Sequence, residues 1–225
     1  MMTAETTSRD SKARVASRHG PDWLGLAAPL GGIGFSILYT VLGGLRPGYS
    51  PVRQLISALG TGSDGFWLNL GFLLSGLLII AGMIGFGRAL QPRLSLGRRA
   101  AVTALLAFPA LGLIVCGFFH MDTNLLLHAI GAQLACGLPI VTFAIAAGLL
   151  WRTARPIATW LLISAALILL ALLGYMFLSA TSPTDFSTIA GGGTVGLWER
   201  ILAIILFVVS YPSIGIIGVT SARRD

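Results

Sequence analysis

The chain has 225 residues, of which 55% are hydrophobic and only 10% charged, with a mean hydropathy of +0.86. A soluble domain carries about 25% charged residues, so an ordinary water-soluble globule is excluded. A net charge of +7 and a pI near 10.4 would suit a nucleic-acid binder, but the basic residues are collected into a few short segments between apolar runs, so no nucleic-acid partner is expected.

Residues 1–21 are polar, carry Arg9, Lys12, Arg14 and Arg18, and lack the apolar core and cleavage site of a signal peptide. They read as a disordered cytoplasmic tail. Six apolar runs follow, at about 23–45, 66–86, 100–119, 125–150, 157–179 and 201–219. Each is close to the roughly 20 residues that carry a helix across a bilayer core. The runs are continuously apolar rather than alternating, which points to helices and not barrel strands. The expected fold is therefore all-α, a polytopic bundle of six transmembrane helices over residues 22–221, with 222–225 as a cytoplasmic C-terminus.

In the first helix, Gly32 and Ser36 have the small-xxx-small spacing that lets helices approach closely in lipid. The segment after it, YSPVRQLISALG, begins with a Ser50–Pro51 cap pair, places Val52, Leu55, Ile56 and Leu59 on a helical period and stops at Gly60. It is expected to be a short amphipathic helix, about 50–60, lying on the outer surface with Arg53 and Ser57 on one face. Helix two starts with the interfacial Trp67, and Asn69 one turn further in needs a partner on a neighbour. Helix three contains Pro109, which bends or breaks a ladder. It leads into GFFHMDTNLLLH, which sets His120, Asp122, Asn124 and His128 at the start of helix four, with Gln133 below and Pro139 at mid-depth.

Cys116 and Cys136 differ in expected depth by roughly 10 Å, more than the ~7 Å a disulfide spans, and both read as packing residues. Helix five is almost wholly apolar apart from Tyr175. The connection beyond it, with Gly191, Gly192 and Gly193, reads as a slack linker or a lid, and helix six opens with Trp198, Glu199 and Arg200.

Apart from Arg46, Arg53 and Arg200, every Lys and Arg falls in the tail, the 88–99 loop, the 152–155 loop or the C-terminus. These segments share one side if the helices alternate. The positive-inside rule then places both termini in the cytoplasm of a bacterial inner membrane. The polar side chains collect on the other side. Arg53, Ser57, Asn69, Asp122, His128, Glu199 and Arg200 are the candidate lining of an outward vestibule, which would bind lipid, another amphiphile or a membrane partner, a second copy of the chain included. The plainer reading is that Glu199 or Asp122 pairs with Arg53 or Arg200 to tie helix ends together.

A membrane hydrolase using His128 and Asp122 is the alternative, and a pure assembly subunit, suggested by the abundant glycine, is a third. His120, Asp122 and His128 are zinc-ligand types, but their spacing is no recognised zinc pattern. A Ser57–His128 nucleophile pair would need a carboxylate, and no GxSxG elbow is present. With no CxxCH, P-loop or GxGxxG in a strand context, no cofactor is expected.

The stretch YSPVRQLISALGTGSDGFWLNLGFLLSGLL, the Asp122 to His128 segment and GLWER at the start of helix six resemble an uncharacterised prokaryotic membrane family, domain of unknown function 998. That resemblance implies a six-helix integral membrane protein and no particular reaction. Members often show Phe-Pro-x-Asp where this chain has Phe119, His120, Met121 and Asp122, which weakens a metal site that relies on His120. A remoter likeness to six-helix eukaryotic membrane proteins of lipid handling is analogy only.

Overall fold

A computed structural model describes residues 23–91, 93–181 and 192–221. The expected tail at 1–21, Asp185, Gly191 of the glycine run and the 222–225 terminus lie outside the described residues. Among the described residues there are helices and turns and no strand. Six helices are long and apolar enough to cross a membrane: α1 (Trp23–Leu45), α2 (Ser63–Ala89), α3 (Leu96–Phe118), α4 (Leu125–Leu150), α5 (Arg155–Phe177) and α6 (Val195–Thr220). The chain is a multi-pass membrane protein. Large apolar side chains on the outside of the bundle, such as Leu30, Ile37, Leu170 and Phe177, are exposed as a lipid-facing surface requires. The last helix starts at Val195 rather than near 201, so Trp198, Glu199 and Arg200 lie inside its first turns.

Consecutive helices pack side by side, and α6 returns to close against both α1 and α2. Packing is close where side chains are smallest. A Cβ on Gly32 would run into the Phe207 carbonyl of α6, and one on Gly112 into the Gly131 carbonyl of α4. Gly32 is therefore a contact between backbones, while the hydroxyl of Ser36 turns back to donate to the Gly32 carbonyl at 3.0 Å. Cys116 and Cys136 are both free thiols.

Prolines interrupt three ladders. Around Pro109 the α-helical pattern gives way to a 3-10 turn, Phe108–Ala110. Ahead of Pro212 the chain widens into a π-helical stretch, Ile204–Ser210, where the Ser210 hydroxyl donates to the Ile205 carbonyl at 2.8 Å. In α4 the helix stops at Cys136 and resumes at Leu138, because Pro139 has no N–H to donate. The inner half of α4, Leu138–Leu150, packs on both α3 and α5; the outer half, Leu125–Cys136, packs on α3 but makes no comparable contact with α5.

The segment between α1 and α2 differs from the expected surface helix. Residues 51–54 form a turn and Ile56–Gly60 a 3-10 helix, and that helix is buried along its whole length instead of lying flat on the surface. Its backbone groups are satisfied from elsewhere in the fold. Arg46 donates to the Ala58 carbonyl at 2.7 Å, Tyr49 to the Leu55 carbonyl at 2.9 Å, Asn69 to the Gly60 carbonyl at 2.8 Å, and the Leu197 N–H to the Val52 carbonyl at 3.0 Å. With its partners supplied by side chains and by α6, this segment has no need of an α-helical ladder of its own. It forms a cap over one end of the bundle; the exposed arginines Arg88, Arg98, Arg152 and Arg155 mark the other end.

Candidate functional site

Where the outer half of α4 parts from α5, a cavity of about 720 Å³ opens, within the range of about 300 to 1,000 Å³ typical of ligand pockets. Leu125, His128, Ala129, Ala132 and Gln133 supply one wall, and their spacing makes them a single face of α4. The other walls are Tyr175 and Met176 of α5, Glu199 of α6, Met121 before α4, and Leu55 and Ser57 of the cap. Most of the lining is apolar.

Two of its polar groups, His128 and Glu199, are held by backbone partners. Asn124 caps α4 by accepting from the Leu127 N–H at 3.1 Å, which fixes where the first turns of that helix begin. His128, 5% exposed, places its Nδ1 2.8 Å from the Phe119 carbonyl. A carbonyl only accepts, so Nδ1 carries the proton and Nε2 of the neutral ring can only accept; the Cys116 backbone also bonds this ring. The edge of Phe72 packs against the same ring at 6.2 Å. Glu199 accepts from the Ile56 N–H at 2.5 Å through Oε2. Ser57 is 7% exposed and its hydroxyl has no hydrogen-bond partner among the described residues.

The seven residues read from sequence as vestibule lining divide into two groups. Ser57, His128 and Glu199 line the cavity; Arg53, Asn69, Asp122 and Arg200 do not. Arg53 is exposed, and its carbonyl accepts from the Gly192 N–H at 3.1 Å. Asn69 is buried beneath the cap. Asp122 accepts from the Gly62 N–H at 2.8 Å. Arg200 donates to the carbonyls of Pro51 at 2.7 Å, Gln54 at 3.0 Å and Gly196 at 3.0 Å, bonds the Tyr49 hydroxyl, and lies over the Tyr39 and Tyr49 rings. Burial pushes the Tyr49 phenol above its usual range, with the bonded Arg200 pulling the other way.

Among the described residues, the helix ends are thus tied through the backbone of the cap rather than by the carboxylate–guanidinium pairs that the sequence suggested. Asp122 does not orient His128, because the Phe119 carbonyl occupies the nitrogen that a carboxylate would hold. Among the described residues, no group of three or more His, Cys, Asp or Glu could hold a metal ion.

Sequence reasoning noticed Gln133 and Tyr175 as polar but did not assign them to the site. The apolar face Leu125, Ala129 and Ala132 could have been found by following the helical period downward from His128. Tyr49 left no such signal, since its partner Arg200 is remote in sequence.

The family described as "Protein of unknown function (DUF998)" matches residues 29–211, which take in all of α2 to α5, most of α1 and α6, and every lining residue of the cavity. The chain belongs to this family. No curated protein and no solved structure matches it. For this DUF998 member, the case for function rests on the cavity and its chemistry.

Proposed function

We propose that this DUF998 protein binds an amphiphile drawn from the surrounding bilayer. The chain of the ligand lies along the α4 face Leu125, Ala129 and Ala132, and its polar end meets Ser57, His128 and Glu199. The observation that carries the reading is the cavity itself: mostly apolar, about 720 Å³, bounded on two sides by helices that cross the membrane, with a few polar groups converging at the cap. The arginines at the far end support a reading in which that end faces the cytoplasm, in an inner membrane, with the cap outside.

The test is to extract the protein together with its surrounding lipid and identify bound molecules by mass spectrometry, in the wild type and in Ala129→Trp, which fills the cavity. One amphiphile retained by the wild type and lost in the variant supports binding. Equal retention by both, or none by the wild type, rejects it.

A further inference from the structure

Resting on that reading, we infer that the bound amphiphile carries a protonated amine at its polar end, not a phosphate or a carboxylate. The inventory of the cavity is one-sided. Glu199 contributes a carboxylate with one oxygen engaged by the Ile56 N–H, which leaves Oε1 to accept. His128 has Nδ1 engaged by the Phe119 carbonyl, so in the neutral ring Nε2 is an acceptor. The Ser57 hydroxyl, the Gln133 amide and the Tyr175 hydroxyl can each accept as well as donate.

No Lys or Arg lines the cavity among the described residues. The nearest cation in sequence, Arg200, has its guanidinium committed to the cap carbonyls and to Tyr49, and Arg53 is exposed beyond the lining. An anionic head would bring a second negative charge beside Glu199, and Arg200, the cation whose charge reaches that carboxyl, is already engaged by the cap carbonyls and Tyr49. An ammonium supplies the missing charge and up to three donors, enough to serve Glu199, His128 and Ser57 together.

Among the described residues that line the cavity, Glu199 is the one charged group, since both arginines and Asp122 belong to the cap region.

The experiment uses the full chain in nanodiscs of neutral phosphatidylcholine and three photoreactive probes with the same dodecyl chain, ending in an amine, an alcohol or a phosphate. Crosslinks are mapped by mass spectrometry to the Leu125–Gln133 face. The amine is expected to label at roughly tenfold lower concentration than the alcohol, the difference between a charge-assisted and a neutral hydrogen bond, with the phosphate weakest. Glu199→Gln, which keeps an oxygen for the Ile56 N–H, is expected to bring amine labelling down to the level of the alcohol in the same variant. If that variant does not fold, the ranking in the wild type decides alone. Labelling of the face by phosphate or alcohol as readily as by amine overturns the head-group assignment but leaves amphiphile binding standing. Failure of all three probes to label the face overturns both.

Discussion

The two halves of α4 have nearly the same composition and different surroundings. In the inner half, Phe143, Ala146, Ala147 and Leu150 are wholly buried between α3 and α5. In the outer half, Leu125, Ala129 and Gln133 are exposed, although they lie on one face and the helix still packs tightly on α3 through Gly131. The break at Gly137 to Pro139 separates these environments. A bundle with six continuous helices would close this face against α5. A single interrupted ladder leaves room for a ligand without removing a helix.

Four substitutions test the contrast, in falling order of expected effect on stability. Ala146→Trp inserts an indole where the inner half has no free space, and should destabilise the protein by about 3 kcal/mol or prevent folding, read as loss of monodisperse protein and a lower unfolding midpoint. Arg200→Ala leaves the Pro51 and Gln54 carbonyls of the cap without their charged donor, a loss of roughly 2 kcal/mol. Hydrogen exchange should show it as faster exchange across residues 50–60, with the inner half of α4 unchanged. Pro139→Ala returns an N–H to the ladder opposite the Ala135 carbonyl. It should shift stability by less than about 1 kcal/mol yet lower amphiphile retention severalfold as the outer half straightens toward α5. Ala129→Trp, the same change of residue as the first but in the outer half, should stay within roughly 0.5 kcal/mol of the wild type while removing the bound amphiphile. Equal destabilisation by the two tryptophans would show that the outer face is as tightly packed as the inner one.

The cap shows why a pattern that is sound locally can be satisfied in another way. Ser50–Pro51 followed by apolar residues at 52, 55, 56 and 59 is a fair helix signal, and an isolated peptide would have only its own ladder to use. In the folded chain, Arg46, Tyr49, Asn69, Glu199 and Arg200 offer hydrogen bonds to the same backbone, several of them from more than a hundred residues away. Those long-range partners turn the segment inward and bury Ser57 against the cavity. They also remove Arg53 and Arg200 from the lining to which local reasoning had assigned them.

Taken alone, the sequence determined what depends on neighbours along the chain: six spans set by length and apolarity, the end that carries the arginines, the interruptions at Pro109 and Pro139, and His128 just inside the start of α4. Each follows from hydropathy or from a missing N–H and needs no knowledge of what packs where. Tertiary structure decided which polar groups meet. Hydrogen bonds between remote segments assign Arg200 and Asp122 to holding the cap, and leave Ser57, His128 and Glu199 facing a common space. Buried polar groups take whichever partner the fold brings within about 3 Å, and spacing along a helix does not specify that partner.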